Sequence, residues 1–98
     1  MQAQLFSLSH IDGQAPTALP PFDESWEVQV WSNSATVPAF VTPQNSVTLD
    51  AAGFLDGPGV EILASPGRFY LYGTVGLKLI AKPGSAGTAS ISLVAYQP

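Results

Sequence analysis

The chain has 98 residues, a net charge of −4, no cysteine and 46% hydrophobic residues, which is enough for one domain with one small core and rules out disulfides, thiolate chemistry and Cys-ligated zinc. Its three basic residues are too few to grip a nucleic-acid backbone or an anionic membrane surface. No run nears the ~20 apolar residues that span a bilayer, and the opening Met1-Gln2-Ala3-Gln4-Leu5-Phe6 has no basic region ahead of an apolar one, so no signal peptide is expected.

Residues 1–8 read as a short strand carrying Leu5, Phe6 and Leu8. Residues 9–25 hold Gly13, Pro16, Pro20, Pro21 and three acids with no clear period, and Pro20-Pro21 favours an extended path. Residues 1–25 are therefore expected to form a strand and an extended Pro-rich arm, laid over the body or given to a partner, with residues 26–98 as the body.

From there the period is two. Trp26, Val28 and Val30 alternate with Glu27 and Gln29, and Val47 and Leu49 with Ser46, Thr48 and Asp50. Val60, Ile62 and Ala64 form one face of the next run. Phe69 and Leu71 alternate with Arg68, Tyr70 and Tyr72; Leu77, Leu79 and Ala81 with Lys78 and Lys82; Ala89, Ile91, Leu93 and Ala95 with Ser90 and Ser92. The phase shared by odd positions 69–81 reads as one long strand bent at Gly73 and Gly76 or as two strands turning a corner between sheets, and the usual strand length favours two. Runs 77–82 and 88–96 are expected to pair as a hairpin whose 83–87 tip is mobile unless a partner holds it. Turns at Ala52-Gly53, Asp56-Gly57-Pro58-Gly59 and Ser65-Pro66-Gly67 separate the runs. The expected class is all-β: an antiparallel β-sandwich, jelly-roll or Ig-like, with the extended Pro-rich N-terminal segment.

Candidate chemistry is sparse. His10 and Asp12 fall on one side of an extended segment, but metal binding needs more convergent ligands and the chain has a single His, so a solvated loop histidine is expected. Asp23, Glu24 and Glu27 could serve as paired carboxylates only across a cleft that so small a sandwich has little room for. A serine nucleophile would need a base oriented by a third group, for which His10 has no sequence context. Asp50 and Asp56 read as turn caps rather than calcium ligands. The sequence thus predicts no enzyme, no metal and no cofactor.

The aromatics say more. Trp26 is in phase with the core, whereas Trp31 shares the outer phase of Glu27 and Gln29, and Tyr70 and Tyr72 that of Arg68. Outward Tyr, Trp and Arg suit a protein interface or stack on sugar rings. The charges are sorted: all seven acids precede residue 62 and all three bases follow residue 67, giving −7 over 1–61 and +3 over 62–98. Lys78 and Lys82 alternate along one strand and are expected to share an outer face with Arg68. That face should meet Asp23, Glu24 and Glu27 of the same chain or another subunit, or acids of a different partner protein.

The stretch Ser65-Pro66-Gly67-Arg68-Phe69-Tyr70-Leu71-Tyr72-Gly73 through Thr88-Ala89-Ser90-Ile91-Ser92-Leu93-Val94-Ala95-Tyr96 resembles small tailed-phage head-decoration (cement) proteins, which are short, Cys-free, charge-poor β-sandwiches. The resemblance implies a virion structural protein made in the host cytoplasm. It would form a homo-oligomer, often a trimer, at junctions between major capsid protein subunits on the icosahedral head, with residues 1–25 as an arm on neighbouring subunits. The alternative is a carbohydrate-binding or adhesive module using Trp31, Tyr70 and Tyr72.

Overall fold

In the computed structural model, which describes residues 2–34, 36–62 and 67–97, the period-two runs are strands and no described residue is helical. In chain order they are β1 (Gln2–Ile11), β2 (Thr17–Ala18), β3 (Glu27–Ser32), β4 (Ala39–Thr42), β5 (Thr48–Leu49), β6 (Leu55–Asp56), β7 (Val60–Ile62), β8 (Arg68–Tyr72), β9 (Lys78–Ala81) and β10 (Thr88–Gln97). The expected Ala64, Ser65 and Pro66 lie outside the described residues.

Two four-stranded antiparallel sheets form, ordered β1-β10-β3-β8 and β2-β9-β4-β7, with β5-β6 as a separate ribbon. The pairing is a mirror about the segment between β4 and β7. β1 pairs with β10, β2 with β9, β3 with β8 and β4 with β7. Alternate pairs go to alternate sheets, so the chain behaves as one long ribbon rolled up. Both sheets feed one core: Val28, Val30, Ala89, Ile91, Leu93 and Ala95 from the first, Ala39, Val41, Ile62, Leu79 and Ala81 from the second.

This topology overturns the expected hairpin of 77–82 with 88–96. β9 and β10 sit in different sheets, and the 83–87 segment is a crossover between them. Both strands present an apolar face to the same core from opposite sides, a pattern that alternation alone cannot tell from a hairpin. Nor does the crossover end in a loose tip. Asp12 Oδ2 accepts the Ala86 N–H at 2.9 Å, and the Asp12 N–H donates to the Gly87 carbonyl at 2.9 Å.

The N-terminal quarter packs as part of the body. β1 pairs with β10 along its whole length, β2 adds to β9, and Leu19 and Phe22 enter the core. Buried Thr74 clasps the Pro-rich stretch, its hydroxyl accepting the Phe22 N–H at 3.0 Å and donating to the Pro20 carbonyl. Polyproline-like backbone cannot satisfy itself, so such a side chain is needed where the segment is buried. Thr74→Val keeps the shape and orphans both groups. It should cost about 1–3 kcal/mol, read as a lower midpoint in urea with unchanged slope.

On its other face the second sheet carries a smaller apolar patch. Phe40 and Ile80 are cross-strand partners on the side opposite Val41 and Leu79, and both are buried. The 43–59 segment with its β5-β6 ribbon is fixed over this side. Thr42 Oγ1 donates to the Pro58 carbonyl at 2.8 Å and accepts the Gln44 N–H at 3.1 Å. At Gly59 (φ +146°) an added Cβ would meet the Val41 carbonyl oxygen at 2.9 Å, so only glycine lets the chain return this closely.

Candidate interaction surface

Alternation in the first sheet sends Val28, Val30, Leu93 and Ala95 inward, and the registers then line up what is left on the outer face in three rows. One runs Ala3, Tyr96, Glu27, Tyr72; the next Leu5, Val94, Gln29, Tyr70; the third Ser7, Ser92, Trp31, Arg68. Trp31, Arg68, Tyr70, Tyr72 and Glu27 therefore share one surface. Tyr70 and Tyr72 are 68% and 76% exposed, far more than aromatic side chains that pack within their own subunit.

The rows are internally braced. The Arg68 guanidinium lies 4.7 Å from the Trp31 ring centroid, and its Nη1 donates to Gln29 Oε1 at 3.1 Å. Glu27 accepts a hydrogen bond from the Tyr96 phenol, and that bond, with the carboxylate's charge, raises the Tyr96 pKa above its usual value. A rigid, partly prepaired face loses little side-chain freedom on docking.

Asp23 and Glu24 join this surface at the Tyr72 end. They rim a shallow groove of ≈ 440 Å³ whose other wall includes Tyr72 and Val75. Gly73, at φ +83°, makes the approach possible, because an added Cβ would lie 3.0 Å from the backbone of Phe22 and Asp23. The Ser25 hydroxyl and then its backbone N–H donate to Asp23, which holds that carboxyl below its usual pKa. Charge is thus sorted along β8, with Arg68 at one end and Glu27, Asp23 and Glu24 by the other. The span between Arg68 and Tyr72 is about 13 Å at strand rise.

Lys78 and Lys82 are elsewhere. β9 belongs to the second sheet, so neither shares a face with Arg68. The Lys78 ammonium donates to the Pro43 carbonyl at 3.0 Å rather than to an acid. Lys82 borders a separate depression of ≈ 530 Å³ with Thr36, Pro38 and Ser85. Period-two phase gives the face of a strand, not the sheet that receives it.

His10 is not a solvated loop residue. It is 4% exposed near the end of β1. Its Nδ1 accepts the Ala81 N–H at 2.7 Å and its Nε2 donates to the Gln14 carbonyl at 2.9 Å, which fixes one tautomer and ties the first sheet to the second. Asp12 is spent on the crossover, and no group of three or more His, Cys, Asp or Glu able to hold a metal occurs among the described residues. Asp50 Oδ1 accepts the Ala52 and Phe54 N–H groups at 2.9 and 3.0 Å, a turn cap.

Tyr96, read from sequence as lying opposite the Ile91–Leu93 face, is on the outer face, and Leu5, not singled out from sequence, joins it there. Leu5 is out of phase with inward Phe6 and Leu8, and that parity was the available signal. Comparison with protein-family models, with curated proteins and with solved structures found no match.

Proposed function

We propose that this chain is a non-catalytic structural protein that works by docking its outer aromatic face onto other protein subunits, and that its setting is the capsid of a tailed phage, as a head-decoration protein on the major capsid protein. The observation that carries the docking reading is the exposure of Tyr70 and Tyr72 on a face braced by the Trp31–Arg68 stack. The mirror pairing of eight strands supports a jelly-roll form of β-sandwich rather than an Ig-like one. That architecture recurs in capsid and lectin domains, so it favours the setting by analogy only. With residues 2–25 built into the body, clamping rests on the sheet face and not on an arm.

The test is co-sedimentation of the purified protein with capsid shells, together with the position of its gene. Trp31→Ala combined with Tyr72→Ala should weaken shell binding by about tenfold or more while the circular dichroism stays unchanged. A gene lying away from capsid genes, with no shell binding, would end this reading.

The groove favours a second reading. An aromatic plane, Tyr72, facing the carboxylate acceptors Asp23 and Glu24 is a chemistry that holds sugars. Retention on a glycan array that is lost in Tyr72→Ala would select it.

A further inference from the structure

β8 is an edge strand: the first sheet ends on it, and among the described residues no strand pairs with its other side. Which groups it presents follows from one bond. The Gly73 N–H donates to the Trp26 carbonyl at 3.2 Å, which marks the 26/73 pair as a hydrogen-bonded one. Bonded and non-bonded pairs alternate in an antiparallel ladder, so Leu71 and Phe69 also bond toward β3. The backbone N–H and C=O groups of Arg68, Tyr70 and Tyr72 therefore point out from the open edge.

Natural edges of this kind are blunted by lysine, proline, a bulge or brevity. β8 has no lysine, proline or bulge, its register with β3 runs unbroken over five pairs, and its one charge, Arg68, stands at its end. The edges of the second sheet are managed. β2 and β7 have two and three residues. The far half of β1 is tied down, with the Ser9 carbonyl taken by Thr17 Oγ1 and His10 bound across to Ala81.

We propose that β8 pairs with β8 of a second copy of this chain, antiparallel about a two-fold axis through Tyr70, joining the two first sheets into one continuous sheet. The sequence Arg68-Phe69-Tyr70-Leu71-Tyr72 is self-complementary in that register and in its bonding phase. Tyr70 meets Tyr70 and exchanges both backbone bonds, and Arg68 meets Tyr72, again as a bonded pair. On the inner side Phe69 meets Leu71, both half-buried and packed on the core, so the apolar layer runs on across the seam. The sorted charge fits the same axis. It sets the Arg68 end of each copy against the Tyr72 end of the other, next to the acids Glu27, Asp23 and Glu24. The guanidinium, already against Trp31, then gains Tyr72 of the second copy and lies about 10 Å, two strand spacings, from that copy's Glu27. A parallel pairing of β8 with itself would instead set Arg68 against Arg68, away from the acids. The antiparallel pairing deepens the docking reading by naming its first partner, and it replaces a trimer with a two-fold pair.

Sedimentation equilibrium at about 100 µM should give twice the 10.2 kDa chain mass. Tyr70→Pro is the decisive variant. It removes an N–H that faces the open edge and leaves the bonds to β3, a placement proline tolerates. It should raise the dimer dissociation constant about a hundredfold, giving a folded monomer with unchanged circular dichroism. Arg68→Glu should weaken the dimer by about tenfold or more, with the loss shrinking in high salt. A wild-type monomer, a trimer, or a dimer unmoved by Tyr70→Pro would each overturn the proposal. A monomer that still binds capsid shells would discard the pairing and keep the docking function. A dimer that binds no shell would do the reverse.

Discussion

Phe40→Ala is expected to destabilise the protein by about 3–5 kcal/mol, which for a domain this size lowers the melting temperature by roughly 15–30 °C. Phe40 is 0% exposed, yet it lies on the side of the second sheet away from the shared core, opposite Ile80 across the β4–β9 ladder. A strand packed on one side only would show that side chain to water. Here the 43–59 segment is returned over it by the Thr42–Pro58 bond and the close pass at Gly59. Truncating the ring removes the apolar mass that the segment closes on. The loss should therefore be uneven. In native-state hydrogen exchange, amides of 48–56 should lose protection first, while β10 and β3 keep theirs until global unfolding. A melting temperature within a few degrees of wild type would mean that the patch contributes little.

His10→Phe should follow closely, at about 2–4 kcal/mol. The ring volume is kept, but the Ala81 N–H and the Gln14 carbonyl lose their shared partner inside a buried site. His10→Asn separates the two bonds, since its short amide oxygen reproduces the Nδ1 acceptor and cannot reach Gln14. Its loss should fall between zero and that of the phenylalanine variant, as read from urea midpoints. If asparagine and phenylalanine cost the same, the bond to Ala81 is not what joins the sheets at this point.

Strand phase was legible in the sequence, and phase is what assembled the candidate surface. Trp31, Arg68, Tyr70 and Tyr72 share a face because each is one residue out of step with a core position. Phase is local, however. It could not show that Arg68 and Lys78 enter different sheets, since both strands offer the core an equally apolar side. It failed outright at β4, where Ala39-Phe40-Val41-Thr42 is buried on both faces and has no alternation to read. At β1 the error was one of length. Phe6, Leu8 and His10 are in step, so a strand continued to Ile11 would have placed the imidazole inside. Stopping at residue 8 put it in a loop.

The mirror pairing also bears on how the chain folds. β10, which follows every other strand in the chain, occupies an interior position between β1 and β3. Until β10 is in place, β1 has no neighbour in its own sheet, and β3 has only β8. Their inward side chains are then exposed along with the open edges. Assembly must wait for the most distant parts of the polypeptide to meet, a closure that is slow by nature and gains nothing from an early start. A copy in which β10 has not yet docked is the one most at risk of capture by its neighbours.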